Sequence, residues 1–121
     1  MILVDTSVWV DHLRAGDEKL ARALEEGRVL THPFVIGEIS LGNLRQRDVV
    51  INALLDLPQA KAATDREVLQ LIKREALHGL GLGYIDAHLL AAARLAAGAS
   101  LWSRDKPLLK AAARLGLAVG G

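Results

Sequence analysis

The sequence predicts an α/β fold, a central, mostly parallel sheet of four or five strands covered by helices, and three observations carry that prediction. The chain opens on an unbroken apolar run, Met1 to Val4, that ends in Asp5, Thr6 and Ser7. A strand apolar on both faces belongs at the centre of a parallel sheet with helices on either side. The phrase recurs near the other end, where Ala99 to Ser103 runs into Arg104 and Asp105 before a new helical pattern. Between the two, short strand-like runs alternate with segments of helical periodicity, the pattern of a right-handed parallel sheet. Ligands of such sheets bind just outside the carboxyl ends of the strands, which is where Asp5 and Asp105 fall.

Taken in order, Val8 to Leu13 reads as helical, and Glu18 to Glu25 carries Leu20 and Leu24 one turn apart. Val29 to Thr31 is a second strand. Pro33, favoured at a first helical position, opens a helix through Gly37, Glu38 and Leu41, with Glu38 well inside it. Asp48 to Leu57 reads as an amphipathic helix stopped by Pro58, and Ala60 to Ala63 as a short strand. Thr64-Asp65-Arg66-Glu67 is a capping box. The apolar stripe of Val68, Leu71 and Ile72 follows it down to Leu77. Gly79, Gly81 and Gly83 mark a loop before Tyr84 to Ala97, a helix apolar nearly all round and therefore buried, which Gly98 ends. Strand 99–103, helix 107–115 behind Pro107, and a last strand from Leu117 to Val119 complete the pattern.

The 121 residues suit a single domain spanning 1–121, long enough to bury about two-thirds of its unfolded surface. No apolar stretch reaches the roughly 18 residues of a membrane span. The opening run is too short for a signal-peptide core and meets an aspartate, which points to a cytoplasmic protein. Zero cysteines exclude disulfides, thiolate nucleophiles, iron–sulfur clusters and cysteine-ligated zinc, leaving oxygen and nitrogen to do the chemistry. Fifteen basic against 14 acidic residues give a net charge of +1. With four carboxylates sequestered on a metal the remaining surface would favour a polyanion. Trp9, Phe34, Tyr84 and Trp102 are the only aromatics, too few for the sheet-wide stacking platform of single-strand RNA modules.

Four acids share an unusual placement: Asp5 and Asp105 end strands, Glu38 projects from a helix that follows one, and Asp86 stands in the first turn of the buried helix. All can face one sheet edge. Converging carboxylates among neighbours such as Val4, Ile39, Ile85 and Trp102 repel one another unless something compensates. An all-oxygen donor set selects Mg²⁺ or Mn²⁺ over zinc, one or two ions being enough to hydrolyse a phosphodiester. Thr6, Ser7 and Ser103 flank two of these acids and are placed to hydrogen-bond ligand oxygens. Each acid also has a structural reading, since Asp5 and Asp105 can cap helices and Asp86 favours its helix dipole. Glu38, inside a helix beside apolar residues, resists that reading best.

The stretches Asp5-Thr-Ser-Val-Trp-Val-Asp-His-Leu-Arg, Val-Ile-Gly-Glu38, Gly-Tyr-Ile-Asp86-Ala-His-Leu-Leu and Leu-Trp-Ser-Arg-Asp105-Lys-Pro-Leu together resemble a PIN domain. They are most similar to VapC toxins, the ribonuclease halves of VapBC toxin-antitoxin modules, in the right order along essentially the whole chain. The resemblance implies a three-layer α/β/α domain and Mg²⁺ or Mn²⁺ held by Asp5, Glu38, Asp86 and Asp105. It further implies endonucleolytic cleavage of RNA, of the tRNA or ribosomal RNA kind, a homodimer, and inhibition by a VapB antitoxin. All four acidic positions match, and Ser103 stands where such domains carry threonine or serine.

Arg14, Lys19, Arg104 and Lys106 lie near the acids in sequence and are candidate RNA contacts, whereas Lys73, Arg74 and Arg114 read as solvated helix faces. His12, His32, His78 and His88 show no helical pairing and read as structural or surface residues, His12 having in addition a hydrogen-bonding or RNA-contacting role open to it. Trp9 and Trp102 read as core. The glycine loop lacks the Lys-Ser/Thr of a phosphate-binding loop and reads as a hinge. Two other functions fit parts of the pattern. A phosphatase or phospho-acceptor would use Asp5 as nucleophile but wants a second aspartate where Ser7 stands. A non-catalytic RNA- or protein-binding module would use its acids only as caps.

Overall fold

The computed structural model describes residues 1–119. In chain order it contains β1 (Ile2–Val4), α1 (Thr6–Ala15), α2 (Glu18–Glu25), β2 (Val29–Leu30), α3 (Pro33–Ser40), α4 (Arg47–Asp56), α5 (Asp65–Arg74), α6 (Tyr84–Leu95), β3 (Ser100–Trp102) and α7 (Lys106–Arg114). The opening apolar run becomes the central strand, with sheet order β2-β1-β3 and both pairings parallel. Leu3 lies opposite Leu30 on one side and Leu101 on the other. Ile2, Leu3 and Val4 are all buried. Successive strand residues face opposite sides, so both faces of the sheet are covered and the layers are helix, sheet, helix. On the helical side α1 packs on α3 and α3 on α4, while α5 packs on α6 and α6 on β3.

The sheet has three strands where the sequence suggests four or five. Ala60 to Ala63 forms no strand, the chain meeting the sheet edge just before it through a single parallel bridge of Gln59 to Thr31, and Leu117 to Val119 meets the other edge through one bridge of Ala118 to Leu101. At the first of these edges the Thr31 N–H donates to the Pro58 carbonyl and the Ala60 N–H to the Thr31 carbonyl. The Gln59 side-chain amide meanwhile turns back to donate to the carbonyls of Leu54 and Leu57. The segment is thus tied to the end of α4, and it leaves the sheet after one pair on its way to α5.

Helix ends follow local chemistry. α1 begins at Thr6, two residues ahead of the apolar signal, because the Asp5 carboxylate accepts from the Ser7 N–H. The capping box of α5 forms in full: the Thr64 hydroxyl accepts from the Glu67 N–H and the Glu67 carboxylate from the Thr64 N–H. α5 ends at Arg74, short of Leu77, where Ala76 takes a left-handed φ of 49°. α6 buries every residue from Ala87 to Ala93, as expected of a helix apolar all round.

Parallel strands deliver their carboxyl ends to one edge. α1, α3 and α7 start from that edge, and α6, which leads into β3, runs away from it. Asp5, Glu38, Asp86 and Asp105 are brought to the same side by this topology.

Candidate metal centre

Asp5 stands at the end of β1, its backbone N–H donating to the Trp102 carbonyl at 2.9 Å. Its carboxylate is buried and takes its contacts on one oxygen. Oδ2 accepts from the Ser7 hydroxyl at 2.6 Å, the Ser103 hydroxyl at 2.8 Å and the Ser7 N–H at 3.3 Å. Ser7 Oγ also accepts from the Arg104 N–H, and Ser103 Oγ from the Asp105 N–H, both at 3.0 Å. The two serines thereby couple the end of β1 to the turn that carries Asp105. Asp105 caps α7, its Oδ2 accepting from the Leu108 N–H at 3.1 Å. Glu38, on the exposed side of α3, accepts from the Thr6 hydroxyl at 2.7 Å, so Thr6 serves Glu38 while Ser7 serves Asp5. Asp86 accepts from the Gly83 N–H at 3.0 Å.

Burial pushes the Asp86 carboxyl above its ordinary range. The Gly83 hydrogen bond works against that shift, and the charges of Asp5, Asp105 and Glu38 reinforce it. Asp86 therefore lies within electrostatic reach of the other three acids. Among the described residues no three are drawn up tightly enough to hold an ion as they stand, so the cluster is electrostatic before it is coordinating. Their partners are hydroxyls and backbone N–H groups, and among the described residues none of the four joins an ion pair. Uncompensated carboxylates with oxygen-only donors suit a hard divalent cation. The capping reading holds as well, because Asp5 and Asp105 cap with one oxygen and keep the other.

The basic candidates are placed unevenly. Arg104 ion-pairs with Asp11 and Asp17 and lies 5.9 Å from the centroid of the Trp102 ring. Lys19 sits over the same ring at 5.1 Å. Arg14 pairs with Asp11 at 3.1 Å and is well exposed; Lys106 is exposed at the start of α7. Asp17 also caps α2 through Leu20; its position ahead of the Glu18 helix was a readable cap signal, but its partner Arg104 was not.

Three of the histidines do structural work, while His78 is exposed. His12 Nδ1 accepts from the Asp17 N–H at 3.0 Å. His32, fully buried, caps α3 by accepting from the Phe34 N–H on Nδ1. His88 is buried with Nε2 3.2 Å from Asp65 Oδ1, the oxygen to which the Tyr84 hydroxyl donates at 2.6 Å. His32, Phe34, His88 and Tyr84 contact edge to face in series. The Tyr84 and His88 pair stands one turn apart on α6, but nothing in the sequence announced that Phe34 of α3 and His32 before it join them. Trp9 is buried, while Trp102 is only partly covered by protein.

A three-stranded parallel sheet with a cluster of acids at its carboxyl edge is the arrangement of a nuclease-like α/β domain. Residues 2–114 match the PIN domain, and the chain belongs to the PIN-domain family. It is 50% identical over 119 residues to Ribonuclease VapC32 of Mycobacterium tuberculosis strain CDC 1551 / Oshkosh, a match covering 98% of this chain and 96% of that protein. The Ribonuclease VapC32 of strain ATCC 25618 / H37Rv matches with the same identity and coverage.

Proposed function

We propose that this chain is a metal-dependent endoribonuclease, the toxin component of a VapBC toxin-antitoxin system, that hydrolyses phosphodiester bonds of tRNA or ribosomal RNA. The observation that carries the reading is the set of four carboxylates at one sheet edge, none of them ion-paired among the described residues. The same reading is supported by half-identity to proteins called ribonucleases. Asp5, Glu38, Asp86 and Asp105 would hold one or two Mg²⁺ or Mn²⁺ ions. Such an ion, when bound, supplies charge to polarise the phosphodiester and to acidify the attacking water. Ser7 and Ser103 hold Asp5 by Oδ2, Thr6 holds Glu38, and the Gly83 N–H holds Asp86, so these carboxylates would close on an ion from restrained positions. Arg14, Lys19 and Lys106 offer charge to RNA phosphates, and Arg104 acts from its place between Asp11 and Asp17.

A groove of about 590 Å³ adjoins Glu38, with Val10, Leu13, Ile39, Leu44 and Val50 among its apolar lining and Arg14 and Arg45 at its border. It suits a VapB-type antitoxin segment that lays apolar side chains along α1, α3 and α4 and offers a basic group to the acids. Homodimerisation and a cytoplasmic location belong to the same reading; no helix of the described residues is long and apolar enough to cross a membrane.

Purified protein with Mg²⁺ or Mn²⁺ is expected to cut structured RNA, and Asp5→Asn to abolish cutting while leaving the circular dichroism spectrum intact. Undiminished cleavage by that variant overturns the reading. The capping bonds of Asp5 and Asp105 favour the non-catalytic alternative, which titration calorimetry showing no divalent-ion binding would support. A labile adduct on Asp5 after incubation with acetyl phosphate would support the phospho-acceptor instead.

A further inference from the structure

The residues between β3 and α7 have no regular structure, yet they include Ser103 and Asp105, and Arg104 between them is bound at both ends. Its backbone N–H donates to Ser7 Oγ at 3.0 Å, and that hydroxyl donates in turn to Asp5 Oδ2 at 2.6 Å. Its guanidinium reaches the other way, one nitrogen donating to Asp11 of α1 and the other to Asp17, the cap of α2. Each aspartate gives Arg104 one oxygen and keeps the second for its own segment. Asp11 Oδ1 accepts from Arg14, and Asp17 Oδ1 from the Leu20 N–H. The Asp17 N–H is itself fixed on His12 Nδ1, and the guanidinium carbon lies 5.9 Å from the centroid of the Trp102 ring. A single exposed ion pair fixes little, but a planar fork shared by two carboxylates, one of them only 17% exposed, holds one geometry.

We propose that Arg104 is a positioning residue that, with Asp11 and Asp17, clamps the turn of Ser103 to Asp105 onto α1 and so keeps Ser7 on Asp5 and Asp105 at the acidic centre. The proposal rests on the metal-dependent ribonuclease reading and gives Asp11 and Asp17 a part in it. The competing partner for this guanidinium is an RNA phosphate. Charge disfavours that partner, because two aspartates already surround the one cation. A phosphate would have to displace one carboxylate and would then lie close to the other. The clamp also demands an arginine: lysine serves a phosphate as a point charge but lacks the rigid fork that spans two carboxylates.

The test removes the clamp from either end of the full-length protein. Arg104→Met takes away the guanidinium, while the double variant Asp11→Asn with Asp17→Asn leaves it in place and frees it, the amide at 17 still able to cap α2. Both are expected to lower kcat on total RNA by about 10- to 100-fold, with KM close to wild type, and to weaken Mn²⁺ binding, followed by electron paramagnetic resonance without RNA, by a factor in the same range. Arg104→Lys should fall with them. All three substitutions together should cost no more than either end alone, because the groups act as one unit. The Arg104 amide should exchange with solvent faster in the double variant while the amides of α5 keep their wild-type protection. A double variant that binds RNA more tightly and keeps its kcat overturns the proposal. So does Arg104→Met raising KM alone and lowering the salt slope of RNA binding by about one, which would make Arg104 a phosphate contact. Should Arg104→Met fail to fold, unchanged kcat and Mn²⁺ affinity in the double variant and in Arg104→Lys overturn it equally. Wild-type protein that binds Mn²⁺ and cuts no RNA overturns the ribonuclease reading separately, and the manganese titration and amide exchange still decide the clamp.

Discussion

Asp86 and His32 are perturbed in opposite directions, and each shift has a consequence for stability. Burial, then the three neighbouring acids, raises the Asp86 carboxyl, so the fold prefers it protonated. That contribution is fully present below the ordinary aspartate range and is lost as pH rises through the raised value. Without divalent ion, Asp86→Asn should therefore raise the urea midpoint at neutral pH and match wild type in acid, where the wild-type carboxyl is already neutral. A lower midpoint at neutral pH would contradict the electrostatic account. His32 is pushed down to about 4, first by burial and then by His88. Its contribution is fully present above about pH 6.5 and is lost as pH falls towards the lowered value, a loss on the order of 3 kcal/mol. Protonation at Nδ1 would also end the cap on the Phe34 N–H. His32→Asn, which can still accept that bond, should flatten denaturation midpoints across this window. Ser103 is buried and joins Asp5 Oδ2 to the Asp105 N–H. Ser103→Ala should lower cleavage by about 10- to 100-fold with an unchanged circular dichroism spectrum.

At the scale of elements, what was legible in the sequence is what the chain settles within a few residues. Thr64 and Glu67 cap each other across three positions, so the start of α5 could be read directly. Thr64→Ala should cost about 1 kcal/mol by urea denaturation, with no effect on cleavage. The end of β1, the Pro-led starts of α3 and α7, and the buried α6 were legible for the same reason. The outer strands were not. Ala60 to Ala63 has strand-like composition, yet whether it pairs depends on Gln59 and Pro58 binding the end of α4 and the Thr31 backbone, a competition composition does not express. Arg104 shows the same limit from the other side. Its position beside Asp105 suggested an RNA contact, while its partners Asp11 and Asp17 lie 93 and 87 residues away.

For the whole molecule, the proposed metal site predicts that the folded state binds divalent ions better than the unfolded chain. Added Mg²⁺ or Mn²⁺ should therefore raise the thermal midpoint. At about a hundred times the dissociation constant the gain is about 2.7 kcal/mol, and Asp5→Asn should lose most of it. An identical shift in that variant would place the ion elsewhere. The net charge of +1 supplies little long-range attraction to a polyanion, so on the proposed reading RNA affinity rests on local contacts such as those offered by Arg14, Lys19 and Lys106.

The sequence by itself determined where each acid stands relative to its own strand or helix, and hence the α/β class and the candidate site, because caps, strand ends and helical periodicity are written within a turn or two. Tertiary structure alone decided that Asp5 is held by a serine 98 residues away and that Thr6 serves Glu38 and not its neighbour Asp5. It also tied Arg104 to two aspartates and brought Phe34 and Tyr84 together on a buried histidine. Those pairings follow from burying β1 between β2 and β3 and closing the helices over both faces, a packing condition that no local stretch of the chain encodes.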